Sequence, residues 1–299
     1  MLRATLCIAM ITAIPAASAQ EEFADLNNSI RLEYQYFHTG FFETEVGALD
    51  LGETDTHVAL LSGLWSLHER WTVSASVPYV QKRHEGAYPH DLTEFFNYEP
   101  PDLRIVDDGD YHGGFQDMRV SVQYLAIDGP LAVSPYIGYG YPMSNYPIYG
   151  SAAIGRNLWE VPVGVALEFT PYFSDWYLQG DIAYVFSESQ LDVDLDYWLF
   201  YASASYYFTP RFAPRIFAFS RDAPGALTYP ADFPNDDFDN ARGYYHDVLL
   251  RHSYINAGLG FDYVLTDRYE LSASYFKTID ASDVAEVEYA FTVALTRNF

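Results

Sequence analysis

Two short groupings join a base to a partner suited to hydrolytic chemistry: His252 beside Ser253, and Asp55 two residues before His57. Adjacent residues of a strand point to opposite faces, so His252 cannot activate Ser253 if both lie in one. Asp55 and His57 do share a face, as an acid orienting a base would, but an ordinary interfacial pair has the same spacing. No GxSxG elbow and no HExxH occurs, so neither grouping has the nucleophile or metal frame that hydrolysis requires. We expect no catalytic residue. The acidic runs offer hard oxygen ligands, among them Asp91, Glu94, Glu99 and Asp102, Asp107-Asp108-Gly109-Asp110, and Asp232, Asp236, Asp237 and Asp239. The DDGD run lacks the later Glu of an EF-hand calcium loop. Neither a metal site nor a cofactor is expected.

Other charged side chains recur inside apolar segments, in every second position. Trp71, Val73, Ala75, Val77 and Tyr79 alternate with Thr72, Ser74 and Ser76, and Met118, Val120, Val122 and Tyr124 with Asp117, Arg119, Ser121 and Gln123. Trp159 to Phe169, Trp176 to Phe186 and Tyr269 to Tyr275 repeat the pattern. Period two with one apolar face is the mark of a β-strand. The polar face then carries Arg31, Glu33, Arg119, Glu168, Tyr177, Asp181, Tyr201, Asp262, Glu270 and Glu288. If that face lines an enclosed interior, its charges need partners or water. Its tyrosines, which also include Tyr136, Tyr197, Tyr207 and Tyr254, either offer stacking and cation–π contacts to a solute or fill volume and bond to charged neighbours.

Composition limits what such strands can build. The 299 residues carry 16 Lys and Arg against 41 Asp and Glu, a formal charge of −25, yet 27 tyrosines, 21 phenylalanines and five tryptophans supply ample apolar area. That combination excludes disorder, and the excess of anions excludes nucleic acid as a partner. Residues 1–19 have the form of a signal peptide: Arg3, an apolar run from Leu6 to Ala16, and the small-x-small Ala17-Ser18-Ala19. Removal of this segment also removes Cys7 and leaves 15 cations against 41 anions, −26, in a single domain spanning 20–299. No later stretch approaches 18 apolar residues, so a spanning helix is not expected.

A soluble sandwich turns its apolar face inward, whereas a transmembrane barrel turns it to lipid and its polar face to the lumen. The segments run about nine to twelve residues, the length that crosses a bilayer at a tilt, and Trp and Tyr sit at their ends (Trp65, Trp71, Trp159, Trp176, Tyr184, Trp198, Tyr263, Tyr269) as interfacial girdles require. Twelve segments are counted: 29–37, 54–65, 71–81, 114–125, 131–141, 158–169, 176–186, 195–208, 213–221, 247–264, 269–278 and 286–299. Tight connections alternate with longer loops, notably His84–Gly113 and Arg221–His246. The expected fold is all-β, a transmembrane antiparallel up-and-down barrel of about 12 strands with short periplasmic turns and long outer loops. Val287, Tyr289, Phe291, Val293 and Leu295 lead to a terminal Phe299, which resembles the C-terminal strand read by the barrel-assembly machinery; Arg297 departs from that pattern.

The stretches GGFQDMRVSVQYLAIDGPLAVSPYIGYGYPMSN (113–145) and GRNLWEVPVGVALEFTPYFSDWYLQGDIAYVF (155–186) narrow the type of barrel. With Gly114, Asp117, Tyr124, Pro142, Gly155 and Trp159 as its marks, this part resembles the outer-membrane transporter family associated with the meta-pathway of phenol degradation. The resemblance covers about a quarter of the chain. It implies a porin-like channel in the cell outer membrane for passive uptake of small, aromatic or hydrophobic solutes. The surrounding bilayer, lipopolysaccharide and the solute are then its partners. The acidic loops favour cations at the entrance. The competing classes are a structural or adhesive outer-membrane barrel and an outer-membrane hydrolase.

Overall fold

A computed structural model describes residues 28–44, 46–86, 104–233 and 241–299. Residues 1–19, expected to be a signal peptide, and the acidic positions 91, 94, 99, 102, 236, 237 and 239 lie outside the described residues. The strands are β1 (Ser29–Thr44), β2 (Gly47–Leu49), β3 (Glu53–His68), β4 (Trp71–Glu85), β5 (His112–Phe115), β6 (Asp117–Tyr124), β7 (Leu131–Pro142), β8 (Glu160–Phe169), β9 (Trp176–Ser187), β10 (Tyr197–Tyr206), β11 (Phe212–Asp222), β12 (Ser253–Thr266), β13 (Tyr269–Ser282) and β14 (Val284–Asn298). Among the described residues every pairing between strands is antiparallel; with the short β2 and β5 set aside each strand pairs with the next in sequence, and β14 returns to β1 to close the sheet. The result is a closed 12-stranded up-and-down barrel. Two short strands add to it without adding a stave. β2 folds back on the end of β1, and β5 pairs with the upper part of β4 before Gln116 hands the position to β6.

The alternation of residue types becomes an alternation of environment. On β9, Tyr177, Gln179, Asp181, Ala183, Val185 and Ser187 are buried, while Trp176, Ile182 and Phe186 are exposed. The exposed set repeats around the barrel: Leu32, Leu61, Val122, Ile137, Val163, Ile216, Leu259 and Val293 form an apolar belt. So broad an apolar surface is stable only against lipid. Aromatic residues bound it on both sides. At the short-turn end Trp71 packs on Tyr124 and Trp176 on Tyr206, with ring centroids 4.8 and 5.1 Å apart. At the other end Tyr184 meets Trp198 at 4.9 Å and Tyr79 meets Phe115 at 5.4 Å. Trp176 and Phe186 are ten positions apart on one strand, and at ~3.4 Å per residue and a tilt of ~40° the belt between them is about 26 Å tall, the height of a hydrocarbon core.

Connections at one end are short, Glu69–Arg70 and Asp267–Arg268 being the tightest. The other end carries 143–159, 188–196 and 223–252. Three details differ from the sequence pattern. β1, β3 and β4 extend to 15 or 16 residues and project past the belt. Residues 247–250, expected in a strand, belong instead to a helical turn (His246–Leu249) and its cap, and β12 begins at Ser253. β13 and β14 are joined by a turn at Asp283 rather than a loop.

Candidate functional site in the barrel lumen

The interior has two tiers. Toward the short turns, Arg31 donates from Nε and Nη2 to Glu33 Oε2 at 3.0 and 2.9 Å, and from Nη1 to Ser272 and Thr296 at 3.3 Å. Arg215 faces Asp262 at 3.5 Å, and Glu270 is buried in the same arc of strands, β11 to β14 and β1. The opposite arc bears Asp181, which accepts the hydroxyl of Tyr136 at 3.0 Å, and Tyr177, which takes Gln179 Nε2 at 3.2 Å. Glu168 shares a hydrogen bond with Tyr177. Tyr201 packs beside Phe217 and Phe276. This tier is crowded with acids: Glu33, Glu168, Asp181, Asp262 and Glu270 outnumber Arg31 and Arg215.

The tier beneath the long loops is organised around Glu160 at the start of β8. Its Oε2 accepts Arg119 Nη2 at 3.0 Å, and its Oε1 accepts Arg156 Nη2 and the Tyr197 hydroxyl, each at 2.9 Å. The guanidinium of Arg156 lies 5.4 Å and that of Arg221 4.2 Å from the centroid of the Tyr197 ring. Arg221 also donates to the carbonyls of Arg251 and His252 at 2.7 and 2.8 Å.

The loops of this end fold inward. Ile154 packs with Tyr146 on the inner wall residues Val58 and Val80. Leu249 and Leu250 pack with Val185, Leu195 and Tyr197. Loop 143–159 is tied down from several sides. Asp117 accepts the hydroxyl of Tyr146, which itself accepts the Asn157 N–H. Lys82 Nζ donates to the carbonyls of Ser151 and Ala153, and Asp107 accepts the N–H groups of Ser151 and Ala152. Gly155 runs so close to the wall that a Cβ there would lie 2.7 Å from the Tyr146 hydroxyl and 2.8 Å from Gln116 Nε2. Between the loops and the crowded tier lies a cavity of about 740 Å³.

Of the ten residues assigned to the polar face, nine point into the barrel, in two tiers: Arg119 in the tier beneath the loops and the other eight in the crowded one. Glu288 does not share their face. Pairing passes from His38↔Tyr289 to Thr39↔Val287, so Glu288 is the extra residue of a bulge. Val287 lines the cavity and Glu288 is exposed. One inserted residue reverses the parity of all that precede it.

The groupings considered for hydrolysis are dispersed. Asp55 accepts from Tyr36 (2.7 Å) and Arg83 (2.7 Å) and meets His38 Nδ1 at 2.9 Å, while His57 lies between the hydroxyls of Tyr34 (2.7 Å) and Tyr111 (3.2 Å). All of this is on the outer surface of the wall. Ser253 Oγ bonds to Asp222 and Arg251. Asp108, in the DDGD run, accepts the Asp110 N–H and meets His112 Nε2 at 2.8 Å; that contact with His112 is the main reason its pKa falls below the usual carboxylate value.

Sequence patterning overlooked Lys82, Arg156, Glu160, Arg215 and Arg221 as members of the site, although it set Tyr197 on the polar face. Arg215 and Arg221 were detectable: six apart on one strand, they share a face. Arg156 is in an aperiodic loop and gave no signal.

No family model matches the sequence, and no curated protein matches it. Among solved structures, an outer membrane channel from Pseudomonas putida F1 superposes with a TM-score of 0.67 at 13% identity, over 99% of this chain and 100% of that one. The KdgM porin, in complex with disordered oligogalacturonate, gives 0.51 at 7% identity over 91% and 99%. The translocator domain of the autotransporter NalP from Neisseria meningitidis gives 0.51 at 10% identity over 93% and 90%. At these identities the likeness is one of fold. The chain has the architecture of an outer-membrane β-barrel, shared by channels, porins and translocators alike.

Proposed function

We propose that this protein is a porin-like channel of the cell outer membrane for passive uptake of small solutes. On this reading residues 1–19 are the export signal, and the strand ending in Phe299 is what the barrel-assembly machinery engages. The observation that carries the reading is a cavity of about 740 Å³ inside a closed barrel with a lipid-facing belt, lined by charged and tyrosine side chains and roofed by inward-folded loops. An adhesive or purely structural barrel has no need of such a chamber. Pockets of this volume hold one small molecule at a time. Passage through the crowded tier then proceeds along its polar groups, among Arg31, Glu33, Asp181, Asp262 and Glu270. The resemblance around Gly114, Asp117, Tyr124, Pro142, Gly155 and Trp159 favours aromatic cargo. In the structure these residues bear on architecture: Asp117 and Gly155 fix the inward loop, and Tyr124 belongs to the short-turn girdle. No hydrolytic role is proposed for Asp55 or His57.

Liposome swelling with a panel of aromatics, sugars and amino acids tests the reading. Swelling that depends on solute size and chemistry is expected. No swelling with any solute would move the protein to the structural class.

A further inference from the structure

The net charge of the chain is strongly negative, yet the charges around the cavity have the opposite balance. Lys82, Arg119, Arg156 and Arg221 line it against Asp117, Glu160 and Asp247. Each of those acids has bonds within the wall or loops: Asp117 to Tyr146, Glu160 to two arginines and Tyr197, Asp247 to the Gly150 N–H. The arginines retain spare donors. Arg156 Nη1 and Arg221 Nη2 are buried and have no hydrogen-bond partner, and Arg221 is only 7% exposed. A buried guanidinium N–H left unmatched costs on the order of 1–3 kcal/mol, so a fold keeps one where something else will fill it.

Arginine presents its donors as a planar fork that fits a carboxylate. Here two such forks are held by stacking on the single ring of Tyr197, so little ordering remains to be done when an anion arrives. Beside them Phe37, Val58, Val80, Leu158 and Leu250 supply an apolar wall. His252 lies beside them, and its pKa falls to about 3, chiefly through burial and then through Arg221 and Arg156.

We propose that Arg156 and Arg221 form a carboxylate-binding site in the outer cavity, selecting small monocarboxylates with an apolar body. The inference deepens the channel reading by naming the class of solute, and it rests on that reading for its physiological meaning. Acids of this kind are products of the oxidation of aromatic or aliphatic hydrocarbons.

The test is calorimetric titration of the full detergent-solubilised chain at fixed ionic strength with benzoate, with its neutral counterpart benzamide, and with acetate, which lacks the body. Benzoate is expected to bind at least tenfold more tightly than either. Arg156→Gln and Arg221→Gln should each weaken benzoate at least tenfold, Arg221→Lys less, and Lys277→Gln on the outer surface not at all. Gel mobility that shifts on boiling identifies variants that have folded, and Arg156→Gln with Arg221→Lys carries the test if Arg221→Gln does not fold. Equal binding of benzamide, or benzoate affinity unchanged in the folded arginine variants, overturns the site. Swelling without benzoate binding would sink the site and spare the channel; binding without swelling would do the reverse.

Discussion

Tyr136 on β7 lies across Gly164 of β8 and donates its hydroxyl to Asp181 on β9, 3.0 Å away. Three adjacent strands are thereby locked at one level of the lumen. The missing side chain at 164 is part of the contact, since a Cβ there would lie 2.5 Å from the Tyr136 oxygen and 2.7 Å from the Ile182 carbonyl.

Tyr136→Phe removes the donor and leaves a buried carboxylate short of a partner, a loss expected to cost ~1–3 kcal/mol. Gly164→Ala forces the ring and a backbone carbonyl aside, at ~1–3 kcal/mol for overpacking. Urea titration of the folded band on unboiled gels reads both. Unchanged midpoints would mean that the hydroxyl and the glycine are incidental.

A charge placed on the belt should be punished by depth. Leu259 is exposed at the middle of β12, flanked by Ile216 and Tyr275 on neighbouring strands. Leu259→Arg is expected to destabilise the barrel in lipid by ~2–4 kcal/mol. A surface bathed in water would tolerate that arginine within ~0.5 kcal/mol. Reversible unfolding in liposomes distinguishes the two.

Acid should weaken the outer mouth through His252. In the unfolded chain this histidine takes a proton near pH 6.5; folded, it stays neutral down to about 3, because of burial first and the nearby arginines second. Between those values the unfolded state holds the extra proton, so the contribution is unimpaired above pH 6.5 and is lost as pH falls toward 3. His252→Gln should flatten that part of the stability profile. An identical slope in the variant would show that other groups set it.

Asp117 is the anchor of loop 143–159. Asp117→Asn weakens its bond to Tyr146 and should let the loop leave the wall, raising single-channel conductance in planar bilayers. Conductance equal to that of the parent would show that the Lys82 and Asp107 contacts hold the loop unaided.

The wall could be read in the sequence because lipid on one side and polar groups on the other impose period two, as Tyr177 to Ser187 illustrates. β11 was less legible. Its inner face carries Phe217 and Phe219 between Arg215 and Arg221, and its outer face Ile216, so apolar residues fall on both sides and the alternation blurs. Glu288 was misplaced for a different reason, since a bulge depends on how two strands pair and not on either one alone. The inward loops obey no period, and the contacts that seat them join residues far apart, such as Asp107 with Ser151 or Gly150 with Asp247. The positive cavity was therefore hidden behind an acidic composition.

The pairing that closes the barrel sets a timetable for its formation. All other staves join a sequence neighbour, but Ser29 on β1 faces Asn298 on β14. By loop-closure entropy, joining ends some 270 residues apart costs on the order of 3 kcal/mol more than closing a 15-residue hairpin. The open edges of β1 and β14 thus stay unpaired longest, each a template for a foreign strand. The seam is where a chain still folding is most exposed to misassembly, and where a catalyst that holds the two ends together would accelerate folding most.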